Sequence, residues 1–134
     1  MAITDTNTII RTHLLTCTTL TALVGTRIYC PRLPENATLP AVSFFTRGGT
    51  STPYIPGIVN PSVQFDCWAE DPIEAREVYR ALYDNLQGIQ NVEVGAYDIM
   101  SAIEEVQGLD LVDIEIPNYF RVMVFFNVMI RADV

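Results

Sequence analysis

The segment YFRVMVFFNVMIR, from Tyr119 to Arg131, restricts how this chain can fold more than any other feature. Drawn as an extended strand, it sends Phe120, Val122, Val124, Phe126, Val128 and Ile130 to one side and Met123, Phe125 and Met129 to the other. Its aromatic and β-branched residues suit a pleated, half-buried surface rather than a helix. A strand that is apolar on both faces belongs in the middle of a sheet, covered on both sides, or covered on one side by a neighbouring subunit.

The clearest local signal lies upstream of it. Asp71, Pro72 and Glu74 supply an N-cap, a proline in the first helical position and a capping-box partner. A helix over about 72–87 is predicted, with Ile73, Ala75, Val78, Tyr79, Leu82 and Leu86 on its apolar stripe and Gly88 as its stop. Before that helix, Ser62 to Ala69 alternates, with Val63, Phe65 and Cys67 on one face and Gln64, Asp66 and Trp68 on the other. Trp68 reads as a core aromatic that the Pro72 helix covers. Ala41 to Arg47 is a second strand, ended by Gly48 and Gly49.

The N-terminal part is helical: Thr6 to Cys17 repeats its apolar residues at helical spacing behind a capping Asp5, and a short turn from Leu20 to Val24 stops at Gly25. Arg27 to Cys30 reads as extended, and Pro31, Pro34 and Pro40 make Pro31 to Leu39 a surface loop. From Gly48 to Pro61 turn formers mix with apolar side chains, which is unusual for a loop that meets only water. Tyr54, Ile55, Pro56 and Ile58 are therefore candidate assembly contacts. A turn is expected near Asn91 to Ala96, then a strand from Tyr97 to Val106 broken by Gly108. The order gives an α+β fold: a mainly antiparallel sheet with one main helix packed on it and an N-terminal helix, residues 1–134 forming one domain.

Composition narrows the function. Apolar residues make up 49% of the chain and charged ones only 18%, which points to surface meant to be covered by something else. The longest apolar runs fall short of the roughly 18 residues a membrane helix needs, and Met1 to Asp5 lacks the charged start of a secretory signal, so no membrane association is expected. All eight bases are arginine against sixteen acids, and residues 81–120 hold eight acids and no base. That balance opposes gripping nucleic acid. The acidic stretch reads as a solvated face, or as the lining of a channel through which DNA slides without sticking.

Without lysine, a phosphate-binding P-loop, a Schiff base and a kinase ion pair all lack their amine. His13 is the sole histidine and lies on the apolar stripe of the first helix, so it reads as structural rather than catalytic. Glu104 and Glu105, with Asp110 and Asp113 nearby, are the remaining candidates for carboxylate chemistry. Adjacent residues of a strand point to opposite faces and would not work as a pair. Cys17, Cys30 and Cys67 match no zinc or redox spacing and read as reduced core residues of a protein assembled in cytoplasm. No catalytic residue, cofactor or metal site is expected.

Three stretches carry a family resemblance: LTALVGTRIY from Leu20 to Tyr29, LPAV from Leu39 to Val42 leading into a strand that ends at Arg47 to Gly49, and VQFDCWAEDPIEAREVYRALYDNLQG from Val63 to Gly88. Together they resemble the tail-completion, or tail-terminator, family of long-tailed bacteriophages. The third is the most specific, since it runs a strand of that family's type into a helix with Glu74-Ala75 and Ala81-Leu82 in place. The likeness extends over about residues 14–131, although 91–118 match only in character, and the arm from Thr52 to Pro61 is more apolar than the family's loop.

The resemblance implies a non-enzymatic homo-oligomer ring, a hexamer, at the head-proximal end of the tail. Its partners would be the tail tube protein and the head–tail connector or stopper protein, with DNA passing through the bore unbound. The alternatives are a head-completion or connector adaptor of the same virion, and a small acidic hydrolase or ligand-binding domain using Glu104 to Asp113.

Overall fold

The computed structural model describes residues 6–34, 38–51, 58–95, 97–112 and 120–132. The elements run α1 (Thr6–Leu15), α2 (Thr18–Val24), β1 (Ile28–Tyr29), β2 (Ala41–Ser51), β3 (Ile58–Ala69), α3 (Pro72–Leu86), β4 (Gln90–Val94), β5 (Tyr97–Val112) and β6 (Phe120–Ala132). The strands form one sheet in the order β1-β2-β3-β6-β5-β4, antiparallel throughout except where β1 meets β2. This is an α+β fold. The strand that is apolar on both faces, β6, lies near the centre of the sheet.

The sheet curls around its helices. Six flat strands would put the edges about 24 Å apart. The ten-residue α1 is about 15 Å long and yet touches both edge strands, β1 and β4. On the inner, concave side, Val122, Val124, Phe126, Val128 and Ile130 are buried with Val63, Phe65 and Cys67 of β3. Phe65 stacks on Phe44 at 5.5 Å between centroids and meets Phe126 edge-on at 5.7 Å. The cover is α3, which buries Ala75, Val78, Leu82 and Leu86 along one stripe.

Local chemistry fixes where α3 begins and ends. The Asp71 carboxylate accepts from the Ile73 N–H at 2.8 Å, and Pro72 occupies a position where a missing N–H costs nothing. At the other end Gly88, at φ 78°, turns the chain so that its N–H donates to the Ala102 carbonyl at 2.9 Å. The Gln87 side chain accepts from the Glu104 N–H at 2.7 Å, so the end of α3 also caps the edge of β5.

Glycine behaves differently from the sequence reading at three places. Gly48 and Gly49 do not end β2. The strand continues to Ser51, and the register with β3 shifts between Thr46 and Gly49, as a bulge requires. Gly108 likewise does not break β5, which runs on to Val112 with register shifts around it. A Cβ at 108 would lie 2.7 Å from Val122 Cγ1 and 3.0 Å from Tyr79 Cζ, so the glycine is there to let helix and strand approach. The turn expected over 91–96 is mostly strand: β4 pairs with β5 and turns at Gly95. Cys30 also departs from expectation, being exposed while Cys17 and Cys67 are buried.

His13 is buried between α1 and its neighbours, with Nε2 3.8 Å from Cys17 Sγ. Burial pushes the imidazole below its ordinary value of 6.5, against the opposing pull of a hydrogen bond with the Asn85 backbone. Gly49 sits at φ 132° with its missing Cβ aimed at the backbone of Asn60 and Pro61, whereas Gly48, at φ 112°, faces open space. Gly49→Ala should therefore destabilise more than Gly48→Ala, by a further margin of about 1–3 kcal/mol in urea unfolding. For His13 the neutral ring is the folded form, so its contribution is complete above pH 6.5 and is lost as pH falls through the depressed folded pKa. The pH slope of the urea midpoint below pH 6.5 should shrink in His13→Gln.

Candidate functional site

The residues that carry chemistry are held apart or kept neutral. His13 and Cys17 are neighbours, but burial raises the thiol pKa and lowers that of the imidazole, the reverse of what an activated thiolate needs. Burial, and then the nearby Asp66 carboxylate, push the Cys67 thiol far up as well. Glu104 accepts from the Tyr79 hydroxyl at 2.7 Å on the helix side of the sheet, and Glu105 accepts from the Ser62 hydroxyl at 2.8 Å on the other. The adjacent pair is split across the two faces. Among the described residues, no three His, Cys, Asp or Glu side chains gather where they could hold a metal ion, and no helix is long and apolar enough to cross a membrane.

Nor do the acids of 81–120 form one face. Asp84 lies on the solvent side of α3, Glu93 is exposed on β4, Glu104 is on the concave side and Asp98 is paired with Arg131. Strand alternation and the change from helix to strand distribute a run that looks continuous in sequence.

The unusual surface is the convex side of the sheet. Strand pairing places Phe45, Gln64, Phe125 and Val106 in one row across four strands, with Ser62, Asn127 and Ile103 in the next. Phe45, Met123, Phe125 and Met129 are only half-buried, Ile103 is 55% exposed and Val106 38%. The core that the helices share contains none of these side chains. Arginines lie over the aromatics instead. Arg47 sits 3.9 Å above the Phe125 ring and donates to Ser62 Oγ at 3.1 Å, while Arg121 sits 5.1 Å above Trp68, whose indole N–H donates to Ser43 Oγ at 2.9 Å.

Two ion pairs on this face share an orientation. Arg121 lies 3.9 Å from Asp66, the side chains 34% and 7% exposed; Arg131 lies 2.9 Å from Asp98, at 46% and 11%. In each the carboxylate is buried and the guanidinium points outward. A partner arriving on this face would meet apolar side chains and arginine N–H donors.

No family model matches the chain, and no curated protein does either. Among solved structures, a chain of the virion of a native gene transfer agent (GTA) particle matches with a TM-score of 0.65 at 16% sequence identity, over 95% of this chain and 95% of that one. The two chains share a fold. The likeness to the virion chain covers nearly all of both chains, the long strands included.

Of the candidate contact residues, Tyr54, Ile55 and Pro56 lie outside the described residues. Ile58 opens β3, half-buried and paired with Arg131 at the end of β6. Trp68 is not under the Pro72 helix: alternation with the buried Cys67 turns it to the convex side, beneath Arg121. Sequence reasoning missed Arg47 and Arg121, because single arginines in strands give no local signal. The alternation that put Gln64, Asp66 and Trp68 together was the available clue.

Asp66 itself is 5% exposed, and burial raises its pKa, with Arg121 and then Gln64 pulling it back. A raised carboxylate pKa means that ionisation costs more in the folded than in the unfolded chain. The penalty is present at neutral pH and disappears as pH falls through the raised value. Asp66→Asn should melt higher than the parent at neutral pH, with the difference closing in acid; differential scanning fluorimetry across pH measures it.

Proposed function

We propose that this chain is a structural subunit of a phage-like virion, forming a ring at the head-proximal end of the tail that ends tail-tube growth and joins the tail to the head connector. The observation that carries the reading is the end-to-end likeness to a chain of a gene transfer agent virion, with a TM-score of 0.65 over 95% of both chains. The resemblance of Val63 to Gly88 to the tail-completion family supports the proposed position in the particle.

The mechanism is geometric. A closed ring repeats one heterologous interface, so each subunit needs two different surfaces that fit each other. The convex face of the sheet is one of them: it offers half-buried apolar side chains whose covering removes hydrocarbon from water, with outward guanidiniums of Arg121 and Arg131 that acceptors on the partner would satisfy. The residues from Tyr54 to Ile58 are proposed as a second contact. Copies of the chain, six in a hexamer, would contact the tail tube protein on one side of the ring and the connector or stopper protein on the other. A net charge of −8 per subunit disfavours phosphate binding, which suits a bore through which DNA passes.

Removal of the coding sequence from a producing strain tests this. Electron microscopy should show tails of uncontrolled length and heads without tails, both corrected by supplying the protein in trans. Heads that leak DNA beside tails of normal length would place the chain at the head side as an adaptor, and normal particles would remove it from assembly altogether.

A further inference from the structure

β4 pairs with β5 only from Tyr97 to Ser101, and from Ala102 to Val112 no strand lies beside β5 on that side among the described residues. An edge of that length presents main-chain donors and acceptors to any strand that reaches it. Here the helix reaches it first. The Gly88 N–H donates to the Ala102 carbonyl at 2.9 Å, the Gln87 side chain accepts from the Glu104 N–H at 2.7 Å, the Tyr79 hydroxyl accepts from the Gly108 N–H at 3.4 Å, and Arg76 donates to the Gly108 carbonyl at 3.4 Å. We propose that Arg76, Tyr79 and Gln87 form a clamp that keeps the free chain from growing an open-ended sheet with further copies through the β5 edge. The clamp belongs to the unassembled subunit and stands whether or not the chain builds a ring.

All four contacts come from α3 and the turn that ends it, and Tyr79 ties them together. Its hydroxyl also donates to Glu104 Oε2 at 2.7 Å, so one side chain holds both ends of the clamped stretch, at 104 and at 108. Burial, and then that bond, raise the hydroxyl above its ordinary pKa range, so it keeps its proton and donates at neutral pH. A helix side chain can come this close to the strand because residue 108 has no side chain: a Cβ there would lie 3.0 Å from Tyr79 Cζ. The register of β5 against β6 also shifts between Glu104 and Val106 and again between Val106 and Leu109, inside or beside the clamped stretch. Extra residues of this kind bend an edge away from the flat ladder that a new strand would need.

The fold supplies the complement that makes such a device necessary. β1 pairs with only Val42 and Ser43 of β2, so from Phe44 to Ser51 the outer side of β2 also lacks a strand neighbour among the described residues. β2 and β5 lie towards opposite edges of the sheet. Pairing β5 of one copy with β2 of the next would be head-to-tail, and repeated without closure it would extend into a fibre. With β5 held by α3, one half of that contact is already occupied.

The double variant Tyr79→Phe with Gln87→Met tests this in the full chain, since it removes the hydroxyl and the amide oxygen while nearly conserving volume. Residue-resolved hydrogen exchange should show the Glu104 and Gly108 amides exchanging roughly tenfold faster than in the parent. The Gly88 amide, whose bond to Ala102 the substitutions leave in place, should keep its rate. Sedimentation velocity should then reveal a concentration-dependent ladder of species without an upper size, carrying the infrared signature of intermolecular sheet. A ring formed by the parent is not mistaken for this ladder, because a ring has one size. Unchanged amides, or faster amides in a variant that sediments like the parent, would overturn the proposal, and equal acceleration at Gly88 would assign the effect to α3 as a whole and overturn the clamp. Should the double variant lose its fold, Arg76→Met changes only an exposed residue and uncovers the Gly108 carbonyl. It should give the same ladder more weakly, and sedimentation identical to the parent would decide against the clamp.

Discussion

The constraint on which the rest of the structure depends is that β6 is apolar on both faces while the helices among the described residues, α1, α2 and α3, all pack on one of them. Curling the sheet around α1, α2 and α3 resolves the concave side completely, with Val124, Phe126 and Val128 fully buried against Phe65, Val78 and Leu82. The convex side is left with Met123, Phe125 and Met129 half-covered. At about 25 cal/mol per Å² of apolar surface removed from water, such a face is a standing source of association free energy.

The chain moderates that exposure with arginine. A guanidinium over an aromatic ring keeps its charge hydrated while its flat face shields carbon, so Arg47 on Phe125 and Arg121 on Trp68 each cover part of a ring without closing the surface. The buried acids beneath, Asp66 and Asp98, then anchor arginines that remain partly exposed. Lysine would serve less well in these places, because an ammonium ion lacks the flat face that stacks on a ring and the rigid fork of five donors that can hold an acid below and a partner above. The absence of lysine from the whole sequence is consistent with a surface organised by planar cations.

Much of the fold was legible because it is set by local chemistry. The start of α3 follows from Asp71 and Pro72, the stop of α2 from Gly25, and the alternation of β3 and β6 from residue type alone. The split of Glu104 and Glu105 across the sheet followed from strand geometry. What failed depends on partners distant in sequence. Whether Gly49 ends a strand or makes a bulge is decided by Asn60 and Pro61, and whether Gly108 breaks one is decided by Tyr79 crossing above it. Trp68 was assigned to the right strand and alternation, but the side on which α3 lands is a tertiary matter. The short edge strand β4, with Asn91 at φ 51° and exposed Gln90 and Glu93, looks like a turn until β5 is placed beside it. The apolar outer side of β6 could be read in advance; the arginines that lie over the aromatics of this surface could not.

Covalent footprinting of the two convex methionines addresses the central claim most directly. Methionine oxidation depends on solvent access, and the half-buried Met123 and Met129 bracket Phe125 on the convex face. Peptide mass spectrometry after brief peroxide treatment should show both converted to sulfoxide in the isolated chain and both protected in assembled particles. Equal oxidation in the two states would mean that the convex face stays open to water in the particle, contradicting the account.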